Sequence, residues 1–322
     1  MNFETALEDA RVAVQQAAQV CSNIQRSIPG QALTKNDRSP VTAADLAAQV
    51  IVLAQLEQSS LRCPVVAEES AEILSGPDAA QWRVRVTELV NQVCPQLTES
   101  DVLKILDRGQ HNGGKNGRFW VLDPIDGTKG FLRGEQYAVA LGLVVEGELK
   151  LGVLGCPNLR HGDAVGRVYS ALHGQGSWCS GLDLRHRQPV QVNDFGLERA
   201  NFCESVEAAH SAHDASARIA ELLRISAPPV RIDSQCKYAM VADGSASIYL
   251  RLPTRKNYIE KIWDHAAGAL VVSEAGGQVT DIRGRPLDFG VGRGLECNEG
   301  VIVTNGRVHE QTLNAIEQVL EL

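Results

Sequence analysis

The sequence predicts a layered α/β protein, and three observations carry that prediction. Helical periodicity occupies the first part of the chain and its end. Short apolar strands separated by turn residues fill the middle, from Phe119 to Cys179. Beyond about residue 195, helical and strand patterns alternate. The early strands read as mostly antiparallel and the late ones as mixed. With 322 residues the chain has room for about two domains at ~150 residues each. A boundary is expected near residue 195, giving 1–195 and 196–322.

The first helix is read from Phe3, Leu7, Ala10, Val14, Ala17, Cys21, Ile24 and Ile28, which share one face and precede the stop Pro29-Gly30. Thr42 is the expected N-cap of the next helix, with Asp45 three residues on as in a capping box. Leu46, Val50, Leu53 and Ala54 form its apolar face. Residues 64–67 make a short buried strand ending at Glu68-Glu69. Trp82, Val86, Leu89 and Val93 suit a helix, and 101–107 another. The segment HNGGKNGR lacks P-loop spacing and reads as a surface connection or a lid. FWVLD is an apolar strand running into DPIDGTKGF. Further strands are expected at 137–145, 149–154, 166–172 and 176–179. The second half should place helices at 212–223, 234–242, 262–275 and 308–320, and strands at 230–232, 246–250 and 301–304.

Composition excludes several functions. Lys plus Arg is 31 against 39 acids, a net charge of −8, which argues against binding a nucleic acid polymer. No run approaches the ~18 apolar residues of a membrane helix. The N-terminus lacks the basic and apolar regions of a signal peptide. A cytoplasmic protein is expected, or an organellar one whose targeting segment has been removed, with no membrane and no obligate protein partner. The eight Cys contain no C-x-x-C and no zinc spacing, so free thiols are the expectation. Cys156 and Cys179, on strands joined by a returning hairpin, are a candidate redox pair.

The strongest chemical signal is Asp123-Pro124-Ile125-Asp126-Gly127-Thr128. An apolar strand delivers Asp123, Pro124 bends the chain, and Asp126 turns back to the same point. Gly127 and Thr128 then offer backbone N–H groups at a helix start. Paired carboxylates beside such N–H groups suit divalent cations with a phosphate above them. The same residues also suit a plain strand-to-turn connection. Asp264 stands at the start of a helix, Glu68 and Glu69 end a buried strand, and Asp45 has an alternative role as a cap. His265 reads as a packed histidine.

Together SPVTAAD, VVAEES, DPIDGTKGF and WDHAAGALVVSEAGG resemble the lithium-sensitive, magnesium-dependent phosphatases that include inositol monophosphatase and fructose-1,6-bisphosphatase. The resemblance runs from about residue 3 to 320. Within that group DGTKGFLRGEQYA, ESVEAAHSAHD, DSQCKYAMVADGSASIYLRLP and YIEKIWDHAAG are similar to the branch from yeast and plants that acts on 3′(2′),5′-bisphosphate nucleotides. The resemblance implies a five-layer αβαβα sandwich. It implies two to three Mg²⁺ ions and inhibition by Li⁺. Glu68, Asp123 and the carbonyl of Ile125 would hold one ion. Asp123, Asp126 and Asp264 would hold a second, and Asp45 would reach a third, near Glu68, through water. Thr128 and Asp45 would activate the attacking water. His210, Ser234, Lys237 and Arg251 would face the substrate, with Gly127, Thr128 and Asp264 at the phosphate. The implied substrate is adenosine 3′,5′-bisphosphate and its sulfated analogue. An inositol polyphosphate 1-phosphatase is the alternative enzyme, and a nucleotide-binding sensor the alternative that is not one. Lys237 as a solvated helix lysine and Arg251 as an exposed strand end are the plain readings of those two residues.

Overall fold

In a computed structural model the described residues are 2–27, 33–34, 40–161, 164–206, 213–253, 255 and 258–322. Helix α1 (Phe3–Ser27) is capped by the Asn2 side chain, which accepts from the N–H groups of Glu4 and Thr5. It buries Leu7, Ala10, Val14, Ala17 and Cys21 on one face. A two-residue ladder of β1 (Leu33–Thr34) with β2 (Pro40–Val41) leads to α2 (Ala43–Gln58). The expected capping box forms. Thr42 Oγ1 accepts from Ala44 and Asp45, and the Thr42 N–H donates to Asp45 Oδ2 at 2.8 Å. Helix α2 differs from the expected one-faced helix. Every residue from Ala44 to Leu53 is buried, because α1, α3 (Ala80–Val90), α4 (Glu99–Asp107) and the sheet enclose it.

The large sheet has seven strands in sequence order: β3 (Val65–Ala67), β4 (Arg118–Asp126), β5 (Ala138–Val145), β6 (Glu148–His161), β7 (Ala164–Leu172), β8 (Gly176–Gly181) and β9 (Gln188–Val190). Only β3 and β4 are parallel. The short α5 (Thr128–Leu132) follows β4. A second sheet of five strands runs β11-β10-β12-β14-β13 and mixes parallel with antiparallel pairs. Its strands are β10 (Phe202–Glu204), β11 (Val230–Arg231), β12 (Ile248–Arg251), β13 (Gln278–Thr280) and β14 (Val301–Thr304). The change of sheet falls between Val190 and Phe202.

Five layers result. Helices α1 and α2 cover one face of the large sheet, with a core that includes Leu7, Val14, Leu46, Ile51 and Leu141. Helices α7 (Cys236–Ala242) and α8 (Ala266–Glu274) lie between the two sheets. Helices α6 (His213–Leu222) and α9 (His309–Leu320) close the outer face of the small sheet over Ile219, Ile302 and Ile316. The architecture is the expected αβαβα sandwich. Helix α8 approaches β6 so closely that a Cβ on Gly152 would stand 2.7 Å from the Ala267 carbonyl oxygen, so the sheet there admits only glycine. No helix among the described residues is long and apolar enough to cross a membrane.

Several expectations are corrected. The helix foreseen at 262–275 is two pieces, a 3-10 turn Ile262–Asp264 followed by α8. Strands β9, β10 and β13 were not foreseen; three residues each are too few to show an alternating pattern. Cys156 and Cys179 do not pair. Strand β7 runs between them, with Cys156 opposite Arg167 and Cys179 opposite Tyr169. Two strand spacings, about 9.6 Å, exceed the ~7 Å Cα limit of a disulfide. Both thiols are free, and Cys156 instead meets Cys236 of α7.

His309 ties α9 to the small sheet. Thr280 Oγ1 donates to the Asp281 carbonyl and therefore accepts from His309 Nε2 at 2.9 Å. Thr304 Oγ1 donates to Nδ1, also at 2.9 Å. This neutral ring is 2% exposed, and burial lowers it to about 4. The unfolded chain takes up this proton near 6.5, so stability from His309 is full above that pH and declines as pH falls toward 4. Urea midpoints followed from pH 7 to 4.5 should fall in wild type and fall less in His309→Gln. Parallel declines in the two proteins would show that the ring is charged in the folded chain.

Candidate active site

Strand β4 carries the site on its carboxyl end. Asp123 pairs with Ala140 and Asp126 with Ala138, so β4 holds one extra residue, a bulge at Pro124-Ile125. Pro124 has no N–H to give to the ladder, which makes the bulge its natural place. Gly127 then takes the left-handed conformation (φ 87°), and a Cβ there would meet the Ser234 Cβ at 3.0 Å. The bulge and this turn bring Asp126 back beside Asp123. Helix α5 begins at Thr128 and has five residues, so it contributes N–H groups more than a dipole.

Glu68 reaches the same point from β3, since its N–H donates to the Leu122 carbonyl of β4 at 3.2 Å. The neighbouring Glu69 is held at its backbone by the Gln49 amide, at 2.7 and 3.0 Å. Asp45 enters from the buried first turn of α2. Thr128 Oγ1 lies 3.2 Å from Asp45 Oδ1 and 3.2 Å from the Ile125 carbonyl. Asp45 is thus both the cap of α2 and a hydrogen-bond partner of Thr128, so capping does not take it away from Thr128.

Burial and like charge together set the electrostatics. Burial first, then the charges of Glu68, Asp126 and Asp264, push the Asp123 carboxyl well above its usual range. Burial and the neighbouring Asp126 likewise raise Asp264 well above it, against the pull of Arg251. Asp126 is raised by burial, opposed by Lys237 and by a 2.5 Å hydrogen bond from the Gln235 N–H. Asp123 is 2% exposed, and its Oδ1 has no hydrogen-bond partner among the described residues. A buried carboxylate oxygen without a donor, within a set of hard oxygen ligands, fits a divalent cation such as Mg²⁺. Glu260, Asp264 and His265 also bring ligand atoms within 4.8 Å of one another. Glu260 is already bound to Arg251 and His265 to Tyr238, so this group is an ion-pair network.

The C-terminal half supplies two cations. Lys237 is 3% exposed, with Nζ donating to the Ile232 carbonyl at 3.3 Å, and burial lowers its pKa against the charge of Asp126. Arg251 lies 3.8 Å from Asp264 and is gripped by Glu260. Neither plain reading survives: Lys237 is not solvated and Arg251 is not an exposed strand end. Ser234 adopts φ 67° opposite Gly127. His265 is packed, as expected, at 1% exposure. His210 lies outside the described residues.

Two residues here were not singled out from the sequence. Gln235 donates from its backbone to Asp126, donates from its side chain to the Trp263 carbonyl at 3.0 Å, and accepts from the Gly268 N–H at 3.0 Å. It ties α7 to both sides of Asp264. Glu260 holds Arg251. Gln235 stands between two assigned residues in DSQCK, but a single Gln carries no signal of its own.

A profile of the inositol monophosphatase family matches residues 4–321. The chain is 40% identical to a 3′(2′),5′-bisphosphate nucleotidase of Emericella nidulans, covering all of both chains. It is 43% identical to one of Oryza sativa, over 99% of this chain and 95% of that one. Among solved structures, a Thermotoga maritima IMPase superposes with a TM-score of 0.67 at 20% identity, over 98% of each chain.

Asp123 and Asp264 bind protons more tightly in the folded chain than in the unfolded one. Their stabilising contribution is therefore present at low pH and is lost as pH rises above ~3.9 through their raised values. Metal-free protein should show a Tm that declines over that range, and less steeply in Asp123→Asn. Mg²⁺ at pH 7 should raise Tm in wild type and much less in the variant. An equal Mg²⁺ response from both would mean that the cation binds elsewhere.

Proposed function

The chain belongs to the inositol monophosphatase family, and we propose that it is a Mg²⁺-dependent phosphatase that converts adenosine 3′,5′-bisphosphate to AMP and phosphate, and acts also on the 5′-phosphosulfate analogue. One observation carries the choice of substrate: beside the acid cluster, the chain holds two cations, Lys237 buried and Arg251 partly covered, where a second phosphate needs them. The similarity to bisphosphate nucleotidases over the whole length supports the same reading.

In this reading, residues 1–195 provide the metal-binding and catalytic groups, and residues 196–322 provide substrate recognition and Asp264. Glu68, Asp123 and the Ile125 carbonyl would hold one ion. Asp123, Asp126 and Asp264 would hold a second, with Asp45 near a third. When bound, the ions supply Lewis-acid stabilisation of phosphoryl charge and make water acidic enough to attack at neutral pH. Thr128 passes its hydroxyl proton toward Asp45 as it accepts one from the attacking water. Asp45 is buried and already fixed by Thr42, so it does not reorganise during this transfer. The Gly127 and Thr128 N–H groups hold the phosphoryl oxygens as charge develops on them. Lys237, Arg251 and Ser234 meet the nucleotide. Arg suits the 5′-phosphate by its planar fork.

Phosphate release from adenosine 3′,5′-bisphosphate and from inositol 1,4-bisphosphate, measured side by side, should favour the nucleotide. The reverse preference would replace this substrate with an inositol polyphosphate. Li⁺, with one charge fewer in a Mg²⁺-sized site, should inhibit. If Asp45 and Thr128 act as one unit, Asp45→Asn and Thr128→Val should each reduce kcat about as much as the double variant does. Multiplicative losses would separate their roles. Arg251→Ala should lower kcat/KM for adenosine 3′,5′-bisphosphate by about ten- to a hundredfold, the worth of a charged hydrogen bond, and spare adenosine 3′-monophosphate.

A further inference from the structure

We infer that Glu260 is the positioning residue of the substrate site: it fixes the Arg251 guanidinium for the phosphate that does not react. The inference rests on the nucleotidase reading above and deepens it. Arg251 ends β12 and reaches toward Asp264. A lone arginine there would fold onto the acid cluster, since the nearest negative charges are those of the cation site. Glu260 prevents this. Its Oε1 accepts from Arg251 Nε at 3.0 Å, and its Oε2 lies 3.0 Å from Nη2. This side-on fork uses one edge of the guanidinium and fixes its plane, leaving Nη2 no nearer than 3.8 Å to Asp264. Nη1 is turned away from Glu260.

The grip is itself braced. His265 Nε2 lies 3.2 Å from Glu260 Oε2, and His265 Nδ1 lies 2.7 Å from the Tyr238 hydroxyl. Glu260, His265 and Tyr238 are 7%, 1% and 1% exposed, so little water competes for these bonds. The backbone is pinned as well, with Leu295 N–H donating to the Glu260 carbonyl at 2.8 Å. Tyr238 also packs on Gly268 of α8, where a Cβ would fall 2.4 Å from its ring. Glu260 thus has two effects. It holds the donor edge of Arg251 in one orientation, and it draws the cation away from Asp264 so that both remain available.

Steady-state kinetics with adenosine 3′,5′-bisphosphate and adenosine 3′-monophosphate test this. Glu260→Gln keeps the shape but puts an amide N–H against Nη2. It should raise KM for the bisphosphate about tenfold with little change in kcat, and leave KM for the monophosphate nearly unchanged. Glu260→Asp, which keeps the charge, should recover part of the loss. Arg251→Ala combined with Glu260→Gln should be no worse than Arg251→Ala, because the two act through one guanidinium. Equal losses on both substrates, or a raised Mg²⁺ requirement, would show that Glu260 serves Asp264 or the fold and would overturn the inference. Tyr238→Phe keeps the Glu260 grip and removes only its brace. It should show the same substrate-selective rise in smaller measure, which keeps the test readable if Glu260→Gln folds poorly. A wild-type protein that spares the bisphosphate entirely would overturn the nucleotidase reading itself, an outcome distinct from a loss shared by both substrates.

Discussion

Mutual repulsion among carboxylates at the end of a buried strand is the constraint on which the rest of the structure depends. Asp123 is almost wholly covered, and the charges of Glu68, Asp126 and Asp264 all bear on it. Such a group does not arise from packing, because desolvation and like charge both oppose it. It persists because each acid is delivered by a rigid element. Glu68 is tied to β4 through the parallel β3 ladder. Asp126 is returned by the bulge and by a glycine that alone tolerates the turn. Asp264 is held by a short 3-10 turn whose flanks are bolted to Gln235. Remove the apolar strand around Asp123, and nothing would keep the acids apart from water or close to one another.

Cations outside the cluster are handled with equal economy. Lys237 offsets Asp126 from within α7, and Arg251 is held by Glu260 with Asp264 at 3.8 Å. Burial alone would raise the Glu260 carboxyl, but the Arg251 charge and the His265 hydrogen bond outweigh it and hold it at about 2. Glu260 is therefore ionised at neutral pH. Polar groups in the middle layer partner one another, from Tyr238 through His265 and Glu260 to Arg251, and that chain ends beside Asp264.

Much of this was legible in the sequence because the chemistry is concentrated in short words. DPIDGT announces a strand end, a bend and a turn in six residues, and Thr42 with Asp45 announces a cap. The long helices followed from their period, and the strands of the large sheet other than β9 followed from apolar runs between turn residues. What was not legible is instructive. Three-residue strands such as Phe202–Glu204 carry no alternation. Helix α2 is buried all round, so its apolar face in the sequence marks only part of what is covered. The Cys156–Cys179 pairing failed because the returning strand expected at 166–172 enters the sheet between the other two and holds the thiols two strand spacings apart. Gln235 acts through neighbours distant in the chain, and no local pattern encodes a partner 28 residues away at Trp263; Glu260 meets Arg251 and His265 from within a loop that has no period to read.

The middle helical layer has a further consequence for how the molecule moves. Its core takes Val66, Phe119 and Tyr169 from the large sheet, Val301 and Val303 from the small one, and Cys236, Ala267 and Leu270 from α7 and α8. Neither sheet can be withdrawn without exposing the same apolar wall. The two halves are therefore one cooperative unit, and a chain severed near residue 195 would leave the large sheet with a naked face. A hinge between the halves would have to tear this shared core.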